Sequence, residues 1–320
     1  MKVSVILPVE RVGGDAERAI DSVLRQEAPF PFELIVVSAA PLELSQELLP
    51  ETRVRNVVEP DRNPATRRNR AASIAAGEVL AFLDDDARAD PRWLANACAY
   101  LDAHPDVLAV GGPDPAPEDS SEAELVADTL LAARWIGSGV AAHENRRGVF
   151  DVRHASDVAL VNLFVRRSAF TGFDESIGYI GEDTRLIETL MERGRVVYSE
   201  HVRVVHRRRA FPGPYLRQRW RYRVKTGQLL VGGSRAHRRN PKIAAFLVAG
   251  FLAIVLAPLA ALPYYALTFV LGARATRLPM RWWPLLPLAF AAHHLTYWLG
   301  IVAGAGSALG RRRRDTTSSR

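Results

Sequence analysis

The chain has 320 residues, 24% of them charged, a formal net charge of +7 and one cysteine. That length fits roughly two domains, and the lone Cys98, set in a helical pattern, excludes an intramolecular disulfide framework and a cysteine-based zinc site. The positive excess suits nucleic acid, anionic lipid or phosphorylated substrates. Its distribution is uneven, however: basic residues crowd Arg203 to Lys242 and Arg311 to Arg314, while the first half is mixed in sign. No nucleic-acid recognition motif accompanies these arginines, so no nucleic-acid partner is expected. The apolar run at Met1–Pro8 is too short for a signal peptide, which leaves the bulk of the protein expected in the cytoplasm.

Val3 to Val9 reads as a buried strand stopped by Pro8-Val9-Glu10. Gly13-Gly14-Asp15 opens a helix to about Gln26, with Asp15 as N-cap. Glu33–Ser38 is a second strand, a short helix follows near Leu42–Leu49, and Arg53–Val58 is a third strand. A helix begins at Asn63-Pro64, with proline in its first turn, and ends at Gly77 as its C′ residue. Val79–Leu83 is a continuous apolar run of strand length that ends in Asp84-Asp85-Asp86. A helix from Pro91 and a strand at Val107–Val110 complete an alternation that implies a mainly parallel sheet covered by helices.

Beyond Pro113 the pattern loosens. Pro113–Pro117 reads as a loop, Glu122–Arg134 as an amphipathic helix, and Gly137–Gly148 as a mobile stretch. Strand character returns at Ala155–Val165, a helix opens at Glu182-Asp183 and reaches about Arg193, and short strands follow at Val196–Ser199 and Val202–Val205, ending at His206. Ile243–Ala273 and Trp282–Gly310 contain no Asp, Glu, Lys or Arg. Each run is long enough to span a membrane, for which about 20 apolar residues suffice. Trp282, Trp283, Tyr297 and Trp298 suit interfacial anchors. The flanking arginines place both ends inside and a short loop outside, although Arg274, Arg277 and Arg281 in that loop weaken the bias. The expected division is therefore residues 1–230 and 231–320, the latter holding a basic segment, two spans and a basic tail at a multi-pass location in the cell membrane.

Three adjacent carboxylates at a strand tip repel one another. A hard divalent cation, Mg²⁺ or Mn²⁺, would relieve that repulsion and could also hold a diphosphate; a solvated acidic loop capping the next helix is the alternative. In open α/β sheets, ligands bind at the carboxyl ends of strands, where this cluster falls. Glu182 and Asp183 likewise read either as chemistry or as simple capping of a helix dipole.

Taken together, Ser4–Pro8, Asn63–Asn69, Gly77–Asp86, Phe164–Phe170, Gly172–Glu175 and Gly181–Leu186 resemble, in order and approximate spacing, the family 2 glycosyltransferases. These are inverting enzymes of the GT-A fold, an α/β, Rossmann-like architecture with a mainly parallel sheet. The resemblance covers roughly residues 1–230. It implies that Asp86 binds the metal, that Asp84 and Asp85 contact ribose, sugar or metal waters, and that Arg68 faces the nucleotide diphosphate. Pro8 and Glu10 fall with the donor. Asp183 takes the role of base with Glu182 as its neighbour, and His206 stands where some relatives place a further metal ligand. Gln218, Arg221 and Tyr222 resemble the Gln-x-x-Arg-Trp signature of processive polysaccharide synthases with Tyr in the last place. A helix lying on anionic lipid accounts for the same basic stretch.

Many relatives end the second strand in acids that hold the nucleobase, whereas this chain has Ser38-Ala39-Ala40. The donor base is therefore open, with a UDP-sugar as the default. The resemblance implies a membrane-anchored, cytosol-facing transferase that moves a sugar from a nucleotide donor to a lipid-linked or cell-envelope polysaccharide acceptor. Two rivals stand beside it. A membrane scaffold with a decayed transferase domain is suggested by Ser38-Ala39-Ala40. A sugar-nucleotide pyrophosphorylase needs a Gly-rich phosphate loop after the first strand, which Pro8–Gly14 matches poorly.

Overall fold

The computed structural model describes residues 2–10, 13–41, 53–177, 180–232, 245, 248–252 and 257–318. They divide into two compact units, one formed by residues 1–117 and 140–207, the other by 118–139 and 208–320.

The first unit is built on β1 (Val3–Val9), α1 (Gly14–Leu24), β2 (Phe32–Ser38), β3 (Val54–Val58), α2 (Pro64–Ile74), β4 (Val79–Leu83), β5 (Ala87–Ala89), α3 (Trp93–Ala103) and β6 (Val107–Gly111). It continues, after a segment belonging to the second unit, with β7 (Val149–Asp151), β8 (Asn162–Arg166), α5 (Glu182–Arg193), β9 (Arg195–Ser199) and β10 (Val204–His206). Eight strands form one sheet in the order β3-β2-β1-β4-β8-β6-β9-β7. Neighbours from β3 through β4 are parallel, as are β6 and β9, while β8 runs antiparallel between β4 and β6 and β7 runs antiparallel to β9. The apolar runs read as buried strands behave so: every residue of β2 and β4 is buried. Apolar clusters on the two faces, one around Val5, Val36 and Trp93, the other around Ile6, Phe82 and Leu163, cover the sheet on both sides.

One polar lock ties the amino ends of three strands together. Glu33 of β2 accepts from Ser4 Oγ at 2.7 Å and from the Ala76 amide at 2.7 Å, and Ser4 Oγ accepts from the Gly77 amide at 2.8 Å. Gly77 is therefore not the helix C′ residue expected, since α2 is already capped at Ala75. A Cβ at position 77 would stand 2.5 Å from the Ser4 nitrogen, so glycine is required there by close approach.

Other expectations shift at element ends. Gly13, not Asp15, caps α1; Asp15 instead pairs with Arg18 at 2.6 Å and Arg207 at 3.3 Å. The strand expected from Ala155 starts only at Asn162, because Asp157 accepts from the Arg153 and His154 amides and winds 155–157 into a 3₁₀ turn. From residue 140 onward the stretch expected to be mobile is irregular but anchored, with Ala141 and Ala142 fully buried. The short helix expected at Leu42–Leu49 lies outside the described residues.

The second unit contains α4 (Glu122–Ala132), α6 (Gly213–Gly232), α7 (Ala257–Ala275) and α8 (Leu286–Ser318). Ser121 and Glu124 form a capping box at the start of α4. Leu130, Tyr215, Leu286 and Phe290 belong to one buried cluster of the unit, and Tyr297 and Ile301 form a smaller one. Within the first expected span, residues 243–244, 246–247 and 253–256 lie outside the described residues, and residues 257–273 belong to α7. Among the described residues, one helix is long and apolar enough to cross a membrane, Met280–Gly310. Glycines let α6 and α8 approach closely: a Cβ on Gly304 would meet the Val224 carbonyl at 2.0 Å, and one on Gly227 the Ile301 carbonyl at 2.1 Å. Small residues at such crossings admit backbone-to-backbone contact.

Gly304→Ala is expected to cost about 1–3 kcal/mol by overpacking. Gly306→Ala, where a Cβ meets nothing within 4 Å, should gain about 0.5–1 kcal/mol of helix propensity. Thermal melts of the two variants in one detergent check the opposite signs.

Candidate functional site

The order β3-β2-β1-β4 is that of a doubly wound α/β sheet, in which the ligand crevice opens at the carboxyl ends of the strands beside the switch point, here β1 and β4. Both ends carry residues expected to act. β1 closes on half-buried Pro8 and exposed Glu10, and β4 runs into Asp84-Asp85-Asp86, all half-buried. The Glu10 amide donates to Asp85 Oδ2 at 3.1 Å, joining the two strand ends. Glu10 thus contributes its backbone to the acid cluster. Ser38, at the end of β2, closes on its own turn by donating to the Ala40 carbonyl at 2.6 Å.

Arg68 projects from α2, which Asn63 caps by accepting from the Ala65 amide at 3.0 Å. Its guanidinium donates to Asp84 Oδ1 at 2.9 Å and to Glu182 Oε1 at 3.2 Å. It is 7% exposed, and its Nε has no partner. Burial opposes the charge, but Asp84 and Glu182 outweigh it and hold the pKa above the ordinary arginine value. Neighbouring Asn69 is a strut: its amide donates to Phe173 O and Glu175 Oε1 at 2.9 and 2.7 Å, and it accepts from the Phe173 amide at 2.8 Å.

Gly181 turns the chain into α5 at φ 102°, a left-handed conformation that favours glycine. Glu182 and Asp183 then occupy the first turn, where the helix dipole favours carboxylates. Glu182 is buried, and burial together with nearby Asp183 raises its pKa to about 7 despite Arg68. Asp183 is half-buried and uses only Oδ1 locally, accepting from the Thr184 amide at 2.7 Å.

The His206 imidazole reaches Asp86 through a ladder that sequence reading did not anticipate. β5, directly after the acids, pairs antiparallel with β10, setting His206 opposite Ala87. His206 Nε2 stands 3.1 Å from Asp86 Oδ1, and its Nδ1 stands 3.4 Å from Asp114 Oδ2. Asp114 is fully buried, and its other oxygen meets His143 Nδ1 at 2.7 Å. Asn162, also fully buried, holds this turn by donating to the Pro113 carbonyl at 3.1 Å and the Val202 carbonyl at 2.7 Å. Asp114 and His143 were missed. A carboxylate between two prolines reads as loop, and its partners lie far along the chain.

The donor chemistry fits a small divalent cation. Oxygen and imidazole donors about 2.1 Å from Mg²⁺ or Mn²⁺ on one octahedral edge stand about 3.0 Å apart, and Asp86 Oδ1 and His206 Nε2 are separated by 3.1 Å. A carboxylate behind a metal-facing histidine is the usual device for aiming the ring. No group of three or more His, Cys, Asp or Glu side chains stands in metal-holding geometry among the described residues. A cation here would therefore take its remaining ligands from phosphate and water, as Mg²⁺ commonly does.

Gln218, Arg221 and Tyr222 lie on α6 in the second unit. Gln218 accepts from Arg219 at 3.1 Å, Tyr222 lies 4.8 Å beneath the Arg219 guanidinium, and Arg221 is exposed.

This sheet order, with an acid cluster after β4 and a Glu-Asp pair joined to it by arginine, belongs to an α/β fold of the GT-A type. The profile of Glycosyl transferase family 2 matches residues 4–168, and the chain belongs to that family; it is a glycosyltransferase. It is 32% identical over 120 residues to a glucosyl-dolichyl phosphate glucuronosyltransferase of Haloferax volcanii, a match spanning 35% of this chain and 38% of that relative. The fold is also that of the mannosyltransferase PcManGT from Pyrobaculum calidifontis, solved with GDP-Man and Mn²⁺. The TM-score is 0.52 at 21% identity, with 92% of this chain and 86% of that one covered.

Arg68→Met strands the buried Glu182 without its counter-charge. It is expected to cost about 3–5 kcal/mol at about pH 8 and less at about pH 5, where Glu182 takes up a proton. The sign follows from the raised pKa: the favourable contribution of Glu182 is complete below its ordinary value of 4.5 and is lost as pH rises through about 7. Denaturant unfolding at the two pH values reads the difference.

Proposed function

We propose that this glycosyltransferase is an inverting enzyme using a nucleotide-diphosphate sugar, with a UDP- or GDP-sugar as donor. The observation that carries the reading is the meeting, through Arg68, of the carboxylates after β4 with the Glu182-Asp183 pair at the start of α5. Asp86 and His206 would hold Mg²⁺ or Mn²⁺, with Asp114 aiming the His206 ring. When bound, the cation supplies Lewis-acid stabilisation of the negative charge on the departing diphosphate. Asp84 and Asp85 face the donor's ribose and sugar, with Asp85 set by the Glu10 amide. Pro8 lies at the same strand end. Arg68 keeps Asp84 and Glu182 in register with one another.

Asp183 accepts the proton of the acceptor hydroxyl as its oxygen attacks the anomeric carbon. The bond from that carbon to the diphosphate oxygen breaks on the opposite face. The glycosidic bond forms with inverted configuration, and Asp183 later returns the proton to solvent. Glu182, neutral for part of the time near pH 7 because of its burial, lessens the like charge beside Asp183.

The acceptor in this reading is lipid-linked. The Haloferax relative is named for action on a glucosyl-dolichyl phosphate, and this chain carries an apolar helix of membrane-spanning length. The protein sits at the cell membrane with its catalytic unit and both termini on the cytoplasmic side and two spans between them.

Asp183→Asn is expected to lower sugar transfer by about 10²–10⁴-fold while leaving Mn²⁺-dependent binding of UDP or GDP unchanged. Product nucleotide release from a panel of UDP- and GDP-sugars, beside calorimetric binding, tests this. Full turnover by the variant would remove Asp183 as base. Absence of binding and turnover with every donor, in folded protein, would favour the scaffold.

A further inference from the structure

Among its described residues, the second unit buries the Nε of two arginines that no carboxylate pairs. Three of its acids are committed elsewhere: Asp128 meets Arg208 at 3.0 Å and Arg277 at 3.4 Å, Glu122 meets Arg281, and Glu124 closes the capping box with Ser121. Arg219 and Arg223 are four residues apart and share one face of α6. Neither has an ion pair among the described residues. Arg219, 8% exposed, donates to Gln218 and lies over the rings of Tyr215 and Tyr222 at 5.6 and 4.8 Å. Arg223 lies 3.9 Å over Tyr297 of α8. The Nε of each is buried without a partner, and so is Nε2 of His293, a residue 1% exposed. Tyr215 Oη and His293 Nδ1 stand 2.8 Å apart, and in the tautomer in which the hydroxyl donates, Nε2 carries the proton and is a third orphan donor. Aromatic faces only partly offset the burial of a guanidinium, and buried charge is retained where a partner meets it.

We propose that Arg219, Arg223 and His293 Nε2 bind the phosphate group of a lipid. Two guanidiniums and an imidazole N–H suit phosphate oxygens, which accept several charge-assisted bonds at once. The surroundings select a lipid-borne phosphate over a free one. On α8, Leu288, Leu295, Leu299 and Val302 are exposed at helical spacing, an apolar stripe suited to a bilayer. A cavity of about 300 Å³ lined by Val126, Phe211, Leu286 and Ala289 gives room for hydrocarbon. Phe211 on its wall lies 6.1 Å, ring to ring, from Tyr215, which flanks Arg219. The site deepens the lipid-linked acceptor reading and rests on it only for the identity of the lipid.

The test is native mass spectrometry of the full chain in a neutral detergent, titrated separately with farnesyl phosphate, farnesol, phosphatidylglycerol and inorganic phosphate. Wild-type protein is expected to hold farnesyl phosphate well above farnesol and inorganic phosphate. Arg219→Gln with Arg223→Gln should weaken that binding by about 30-fold or more, while Arg219→Lys with Arg223→Lys, which keeps the charges, retains most of it. Unfolding midpoints near wild type show that the variants are folded. Preference for farnesyl phosphate over phosphatidylglycerol supports the site and makes it an acceptor subsite; equal retention of both, lost together in the Gln variant, supports the site and makes the ligand a bilayer lipid. Farnesol or inorganic phosphate held as tightly as farnesyl phosphate, or undiminished binding in the Gln variant, overturns the proposal. Lipid-phosphate binding in a protein that binds no nucleotide would sink the donor reading alone, and the reverse would sink this site alone.

Discussion

Taking the Arg68 guanidinium out of water is costly unless carboxylates meet it. The two that do come from different ends of the first unit, Asp84 after β4 and Glu182 at the start of α5. Because the ion triad is shared, neither carboxylate can move without exposing or stranding the charge between them. That constraint gives the loops after a parallel strand a fixed geometry, which a cluster of repelling acids could not hold alone. It also couples the part of the site expected to meet the donor with the part expected to meet the acceptor hydroxyl. The unpartnered Nε of Arg68 leaves a donor inside the same site.

A second constraint acts from the other side of the acid cluster. His206 is brought to Asp86 by the β5–β10 ladder and backed by a fully buried Asp114, itself in a turn tied down by Asn162. Every group in this relay except Asp86 is remote in sequence from the acids. The arrangement resists rotation of the imidazole, so that one nitrogen is presented toward Asp86 and the other is occupied.

Strand runs such as Val3–Val9 and Val79–Leu83 were legible because burial on both faces leaves continuous apolar sequence. The acids after β4 and the pair at Glu182-Asp183 stood out through the motif resemblance, since helix capping accounts for charge at an element boundary equally well. Other features depend on tertiary partners and leave little local trace. Ala87–Ala89 is a strand only because Val204–His206 lies beside it. Gly77 looked like a helix stop but is glycine because Ser4 crosses it. Arg219 and Arg223 read as part of a basic surface stretch; burial against the rings of Tyr215 and Tyr297 distinguishes them from the exposed Arg221, and a count of charges cannot reveal it. Asp114 was hidden for the same reason.

The central claim is that the carboxyl end of β4 and the ladder-held His206 form a cation and diphosphate site. The most direct measurement is anomalous diffraction at the manganese edge from crystals grown with Mn²⁺ and UDP or GDP. The account predicts one strong peak within bonding distance of Asp86 Oδ1 and His206 Nε2, with diphosphate oxygens on its open side. A bound nucleotide with the peak elsewhere, or with His206 still turned only to protein, would contradict it.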